Sequence, residues 1–570
     1  MSVPRANAEA ACALCAELAS SVRHAVVSPG SRNTPLVLAL DAQPEIQTHV
    51  AIDERTAGFL ALGLARSSGS PVVLSCTSGS AGAHYLPAII EAYESGAPLV
   101  VLTADRPPEL HGFAAPQTTQ QNGFFSNHVA LQVALPPPDE SEPEAFAEIG
   151  RRALTVAETE ARPVHINAAF REPLWDPSIP QAAARQPASQ GSSRTPPSAS
   201  SELRVALPTV TTPRGVIIAG PRDRQDRLRD EPALARLCHS VAAKLGWPVL
   251  ADITGGMRYH EGRPAITGYD SFLRSEATAE RLHPECALLL GRPLTSKTTN
   301  QWLLERQIPV VVAGETPTHR DPRLNNVIEV RGGLREILER LNEAIDTTTS
   351  APGWLELWHD AESAFLDRNR EDSQWWEGAI ARAAVRGLPA GALLHLSSSM
   401  PVRDADGFSG PLDRAVTVTS NRGVNGIDGV IATAAGQALA WKHGPSAVLI
   451  GDVAFLHDLG SLRHAVGANL NLTVIVVNNG GGRIFDFLPI HRHPTAFETF
   501  FRTDQRAEIE PIATGLGAAY SSVARVDELS EALAQATKAP GVNVIEAVTD
   551  GTHNRATHEQ FHQSVLEALP

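Results

Sequence analysis

The chain has 570 residues, too many for one hydrophobic core; at ~100–200 residues per domain, three domains are the simplest partition. With 43% hydrophobic and 19% charged residues it is not a disordered chain. Its net charge of −15 argues against a nucleic-acid binder, which needs a basic face to displace counterions, but leaves room for a local basic pocket.

The N-terminus has no basic stretch followed by an apolar core, so no secretory signal is expected. Apolar runs such as 97–104 fall short of the ~20 residues of a membrane helix, so no membrane insertion is expected. Five cysteines, sparse and odd in number, fit a reducing cytoplasm. Cys12 and Cys15 form a C-x-x-C in a helical stretch without a second ligand pair, which reads as two small buried residues on one helix face.

In chain order, HAVVSPG is a strand entering a turn, TPLVLAL a helix, IQTHVAI a strand and ERTAGFLALGLA a helix. SPVVLSC, the helix AGAHYLPAIIEAY and the strand APLVVLTA follow. Such alternation implies a parallel sheet covered on both faces. Residues 181–202 are rich in Pro, Ser, Gln and Ala without apolar period, and read as a linker. RGVIIAGP, WPVLAD, ECALLLG and IPVVVAGE are strands of a second α/β segment, with ALARLCHSVAAKLG a helix between the first two. Helical periods over 354–385 lead into a third, whose strands are AVTVTS, SAVLIGD, NLTVIVVNN and VNVIEAV. The partition is therefore 1–180, a linker at 181–202, a central unit at 203–345, and 346–570 with a leading helical bridge. The first and third segments have the look of a duplicated fold, without visible sequence identity.

Ligands of open parallel sheets sit beyond the carboxyl ends of the strands. Gly451-Asp452-Val453 closes one apolar strand; after twenty-four intervening residues Asn478-Asn479-Gly480-Gly481-Gly482 closes another. Either string alone reads as an ordinary strand end or turn. Together they offer hard oxygen ligands and close backbone approach, which suits magnesium bridging a diphosphate.

The GD…NN pair resembles the thiamine-diphosphate signature, with Val453 in place of the commoner glycine. That resemblance implies a metal held by Asp452, Asn479 and the main chain of Gly481, with Mg2+ or Mn2+ as the ion. It also implies a catalytic glutamate on an N-terminal pyrimidine-binding domain, a place matched by Glu54 after IQTHVAI. Without the signature, Glu54 would read as a carboxylate answering a helix dipole. The strings VVSPGSRNTPL, DERTAGFLALGLA, LTADRPPEL, SNRGVNGIDG and NNGGGRIFDFLP are similar to those of the 2-succinyl-5-enolpyruvyl-6-hydroxy-3-cyclohexene-1-carboxylate synthases of menaquinone biosynthesis.

This resemblance implies three parallel-sheet α/β domains (pyrimidine, central and diphosphate). It implies a decarboxylating transferase that joins 2-oxoglutarate to isochorismate, working as a homodimer or dimer of dimers. It also implies a cofactor site of Pro29, Glu54, Ile427, Gly451, Asp452, Val453, Asn479, Ile484 and Phe485. Glu54 needs an enclosed setting for its role, and Ile427 would wedge the cofactor into a bent form. The substrates carry four carboxylates, which arginine forks suit bidentately. Substrate contacts are expected from Ser31, Arg32, Arg106, Gln117, Lys297, Ser399, Arg403 and Arg422. Thr298 stands where the family has a second basic residue after Lys297. Another thiamine-diphosphate 2-oxo acid decarboxylase or an acetolactate-type synthase is the alternative, disfavoured because pyruvate needs one cation. A non-catalytic protein on this fold is disfavoured by the intact Glu54, Asp452 and Asn479.

Overall fold

The computed structural model describes residues 2–177, 210–222, 231–259, 265–315, 320–345 and 350–570. The linker expected at 181–202 lies outside them. Seventeen strands among the described residues form three sheets, and every strand pairing within them is parallel.

The first sheet holds β1 (His24–Val27), β2 (Gln47–Val50), β3 (Val72–Cys76), β4 (Leu99–Asp105), β5 (Leu131–Leu135) and β6 (Val164–Ala169), in the order β2-β1-β3-β4-β6-β5. The second holds β7 (Gly215–Ala219), β8 (Val249–Ala251), β9 (Cys286–Leu290), β10 (Val310–Gly314) and β11 (Val327–Arg331), ordered β11-β10-β9-β7-β8. The third holds β12 (Leu393–Leu396), β13 (Thr417–Ser420), β14 (Ser446–Gly451), β15 (Leu472–Asn478), β16 (Ala519–Val523) and β17 (Val542–Val548). Its order, β13-β12-β14-β15-β17-β16, repeats that of the first sheet position for position. The first and third segments are thus one topology used twice.

The two copies of that topology share a core. The helix Glu54–Ser68 crosses the helix Val430–Ala440 with their backbones nearly touching. A Cβ at Gly63 would lie 2.1 Å from the Thr433 carbonyl oxygen, and one at Gly436 would lie 2.1 Å from that of Leu60. Leu60 and Leu64 of one helix join Ile431 and Ala435 of the other in one apolar cluster that reaches Val448 and Val474 of the third sheet. The helix Trp354–Glu371, grouped by sequence with the third segment, packs Trp354, Trp358 and Phe365 into the core of the second sheet. The stretch AGAHYLPAIIEAY divides into a 3-10 turn, Gly82–Tyr85, and the helix Leu86–Ser95, whose second residue is Pro87.

Cys12 and Cys15 are buried in the helix Val3–Leu18, and all five thiols are free and buried. Burial pushes the Cys15 thiol up, out of the reactive range. Among the described residues no helix is long and apolar enough to cross a membrane.

Candidate active site

In both duplicated units the residues singled out by sequence stand just beyond the carboxyl ends of strands in the same run from one edge of the sheet inward: β2, β1 and β4 in the first unit, and β13, β12, β14 and β15 in the third. The turn after β1 carries Pro29 and Ser31, both exposed, and Arg32, which is buried. It lies against the end of β3, where the Arg32 N–H donates to Thr77 Oγ1 at 3.3 Å. Glu54 opens the helix after β2, and the capping role there belongs to Asp53, whose Oδ1 accepts from the N–H groups of Arg55 (2.9 Å) and Thr56 (3.4 Å). The Glu54 carboxylate therefore has no capping duty at the helix start. It is half-buried, not enclosed, and its charge is felt by Cys76 at the end of β3 and by Tyr85 on the 3-10 turn that follows. Arg106 follows β4 and donates to Ser78 Oγ, and Gln117 packs beside Gly79 of the same loop.

In the third unit Asp452 begins the helix after β14 and is 8% exposed. Its Oδ1 accepts from the Val453 N–H and its Oδ2 from the Gly481 N–H, each at 2.8 Å. Burial pushes its pKa up to about 6, despite these donors. Gly480 and Gly481, at φ +77° and +118°, hold the turn in left-handed conformations; a Cβ at Gly481 would meet the Arg502 carbonyl oxygen at 2.2 Å. Asn479 Nδ2 donates to Glu377 Oε1 at 3.2 Å, while Asn479 Oδ1 is buried without a partner. A desolvated carboxylate and an unmatched amide oxygen on neighbouring strand ends are an oxygen donor set that fits a hard divalent cation. Gly451 and Val453 flank Asp452, half-buried. Ile484 and Phe485 lie on the 3-10 turn Arg483–Phe487 that follows, with the Phe485 ring 5.2 Å from Phe501.

The arginines come in two pairs. Arg32 and Arg106 are close enough that burial and then Arg32 hold the Arg106 guanidinium below its usual range. Arg403 faces solvent, and the surrounding protein followed by Arg422 draws it down in the same way. Repulsive cations held together in an acidic protein are what a site for carboxylates needs. They are not equally available. Arg32 donates to the Phe170 carbonyl (2.8 Å) and to exposed Glu172 (2.7 Å), and Arg403 donates to the carbonyl of Ser399. Ser399 has φ +71°, a strained setting for a serine, at the start of the helix Met400–Phe408. Lys297 opens the helix Lys297–Glu305 and is exposed, and among the described residues no hydrogen bond or ion pair ties it to the others.

Two features of this site left no sequence signal. The first is Glu377, at the start of the helix Glu377–Arg386, which orients Asn479 and is pushed up to about 7 by burial and by Asp404. The second is a latch across the two units. Arg66 and Glu91, both 2% exposed, pair at 3.1 Å. Glu91 accepts from the N–H groups of Gly423 (2.8 Å) and Val424 (2.7 Å), and Arg66 donates to the Ser420 carbonyl (3.2 Å) and Asn421 Oδ1 (2.7 Å). The loop carrying Arg422 and half-buried Ile427 is thus held by an ion pair of the other unit. Glu91→Ala should cost about 3–5 kcal/mol in denaturant unfolding, because it strands a buried guanidinium. A loss below about 1 kcal/mol would show that the latch contributes little.

The chain matches three family profiles. These are the thiamine pyrophosphate enzyme N-terminal TPP binding domain over residues 8–131, the middle domain of thiamine pyrophosphate enzymes over 192–395, and the C-terminal TPP binding domain over 413–547. Among curated proteins it is 35% identical over 564 residues to the 2-succinyl-5-enolpyruvyl-6-hydroxy-3-cyclohexene-1-carboxylate synthase of Listeria monocytogenes, covering 96% of each chain. It is 36% identical to the synthases of the same name from Geobacillus kaustophilus, with 96% of each chain covered, and Myxococcus xanthus, with 96% of this chain and 95% of that one covered.

Proposed function

The chain belongs to the 2-succinyl-5-enolpyruvyl-6-hydroxy-3-cyclohexene-1-carboxylate synthase family of thiamine-diphosphate enzymes, and from that premise we propose that it decarboxylates 2-oxoglutarate and adds the succinyl-semialdehyde unit to isochorismate, releasing CO2. The observation that carries this reading is the pairing of a buried oxygen cradle at Asp452 and Asn479 with four arginines at strand ends of the duplicated sheets.

Thiamine diphosphate, when bound, supplies a nucleophilic carbon and a sink for the electrons released by decarboxylation. Asp452, Asn479 and the carbonyl of Gly481 would hold Mg2+ or Mn2+ against its diphosphate, with Gly451 and Val453 beside it. Glu54 would hold a proton at the pyrimidine ring nitrogen, and Pro29 would line that end. Ile427, Ile484 and Phe485 would shape the pocket and keep water from the reacting carbon. Arg32, Arg106, Arg403 and Arg422 would receive the substrate carboxylates, with Ser31, Gln117 and Ser399 as polar companions and Lys297 reaching in from the central unit. The partition into units 1–180, 203–345 and 346–570 is part of this reading.

A homodimer, alone or paired into a tetramer, is part of the proposal too. Val50 and Ile52, just before Glu54, are 60% and 84% exposed, and Val424, beside Arg422, is 48% exposed. Apolar side chains flanking a catalytic carboxylate that must be enclosed are best satisfied by a second copy. The cytoplasm is the compartment proposed, on the sparse free thiols.

The test is mass spectrometry of products from protein, thiamine diphosphate and magnesium with 2-oxoglutarate, with and without isochorismate. The proposal expects the joined product with both substrates. Acetolactate from pyruvate at a comparable rate would favour the alternative. Alanine at each of the four arginines should raise KM for one substrate much more than for the other. The expected cost is about 2–5 kcal/mol for a carboxylate left unpaired in a desolvated site. Loss of cofactor affinity without substrate bias would remove these residues from the substrate pocket.

A further inference from the structure

The two asparagines that close β15 are held in different ways. Asn478 Nδ2 donates to Glu546 Oε1 on β17 at 2.6 Å, and the second oxygen of Glu546 accepts from the Tyr520 hydroxyl on β16. That amide ties the turn to the neighbouring strands. Asn479 Nδ2 donates to Glu377 Oε1 at 3.2 Å, which leaves Asn479 Oδ1 as a buried acceptor without a partner. An asparagine amide has a donor end and an acceptor end of nearly the same shape, so a neighbouring hydrogen bond decides which end faces a cation. Turned end for end, Asn479 would present N–H groups to the cradle.

Glu377 is 1% exposed and opens the helix Glu377–Arg386. Ile380 and Ala384 of that helix share an apolar cluster with Ile475 and Val477 of β15 and Val402 of the helix Met400–Phe408. The carboxyl group therefore stands on a packed element, not on a loop. Its place is costly. Glu377 Oε2 is buried with no hydrogen-bond partner among the described residues, and the charge of buried Asp404 opposes its own. Asp404 is itself taken up by His558 Nε2 at 2.9 Å. A buried acid with an orphan oxygen beside a like charge weakens a fold. The bond to Asn479 is the one side-chain hydrogen bond that its carboxyl makes among the described residues.

We propose that Glu377 is the positioning residue of the metal site: its acceptor oxygen fixes the Asn479 amide with Oδ1 toward a divalent cation, and so sets the affinity for that cation. The inference rests on the reading of Asp452, Asn479 and the Gly481 carbonyl as the ligands of the metal. The role requires reach more than charge. Glu377→Gln keeps an oxygen at the same distance from Asn479. Glu377→Asp keeps the acid at the helix start but withdraws its oxygens by one methylene.

The test is calorimetry on the full chain with excess thiamine diphosphate, titrated with Mg2+, so that metal affinity is read and not turnover. Glu377→Asp should bind Mg2+ about 10–100-fold more weakly than the wild type, and Glu377→Gln should stay near the wild type. In the Asn479→Ala chain, whose affinity is already lowered, adding Glu377→Asp should cost nothing further, because the amide it orients is gone. Asp452→Ala separates this inference from the reading beneath it. If Asp452→Ala loses Mg2+ while Glu377→Asp keeps it, the role of Glu377 falls and the metal site stands. If Asp452→Ala and Asn479→Ala both keep it, the metal site falls, and this inference with it. Equal losses in Glu377→Asp and Glu377→Gln, or losses that add in full to that of Asn479→Ala, would also overturn the proposal. Glu377→Gln keeps the test decisive if Glu377→Asp unfolds, since a large loss of Mg2+ in that variant contradicts it alone.

Discussion

Glutamine at position 54 should cut turnover by about 10²–10⁴-fold while leaving the fold intact. The geometry separates these two effects. Asp53, not Glu54, caps the helix, and the Glu54 carboxylate has no hydrogen-bond partner among the described residues. Losing its charge forfeits at most a helix-dipole contribution of about 0.3–1 kcal/mol. The catalytic loss is large because an amide can hydrogen-bond a ring nitrogen but cannot exchange a proton with it. Circular dichroism melting and steady-state kinetics on the same preparation check both halves. A rate near that of the wild type would remove Glu54 from the chemistry; a large drop in melting temperature would make it structural.

Alanine at Asp452 should lower the affinity for thiamine diphosphate in the presence of magnesium by about 100-fold or more, comparable to or beyond the loss of an outer-shell metal partner. Asp452 is the buried anion of the cradle, and it also receives the N–H groups of Val453 and Gly481. On the proposed reading, its removal would discard a metal ligand and release the glycine turn that would shape the diphosphate seat. Asp452→Asn tests the charge more narrowly, since its one amide oxygen can still accept from one of the two N–H groups, Val453 or Gly481, but brings no charge to the metal. Both variants should lose the rise in melting temperature that cofactor and magnesium together give the wild type. Unchanged affinity in both would mean that the metal sits elsewhere.

How much of this was legible depended on what each strand carries. β14 and β15 are nearly unbroken apolar runs ending in GD and NN, so both the strands and their chemistry could be read directly. β6 and β12 are equally buried but hide polar residues. His165 and Asn167 bond Thr103 at 2.7 Å, and His395 bonds Thr419 at 2.9 Å, so the apolar pattern that marks a strand is broken. β16 is mostly exposed and has little apolar signal. Arg106, Arg403 and Arg422 were expected from the family resemblance, in strings that coincide with strand ends. Their partners were not legible, because Glu91 meets the Arg422 loop across 332 positions and Glu172 meets Arg32 across 140. Such pairs exist only once the chain has folded. The enclosure expected around Glu54 is not made by one chain, whose neighbouring Ile52 faces solvent.

That last point leads to the most direct test of the central claim, that Glu54 and Asp452 are two halves of one cofactor site closed by a second copy. Glu54→Gln and Asp452→Ala chains, each inactive alone, are mixed under conditions that exchange subunits, and the rate of 2-oxoglutarate decarboxylation is measured. With random exchange between the two chains of a twofold dimer, one site in each mixed dimer is intact, so activity should return to about a quarter of the wild-type level. No recovery despite exchange verified by mass, or full wild-type activity from a chain shown to be monomeric, would contradict the account.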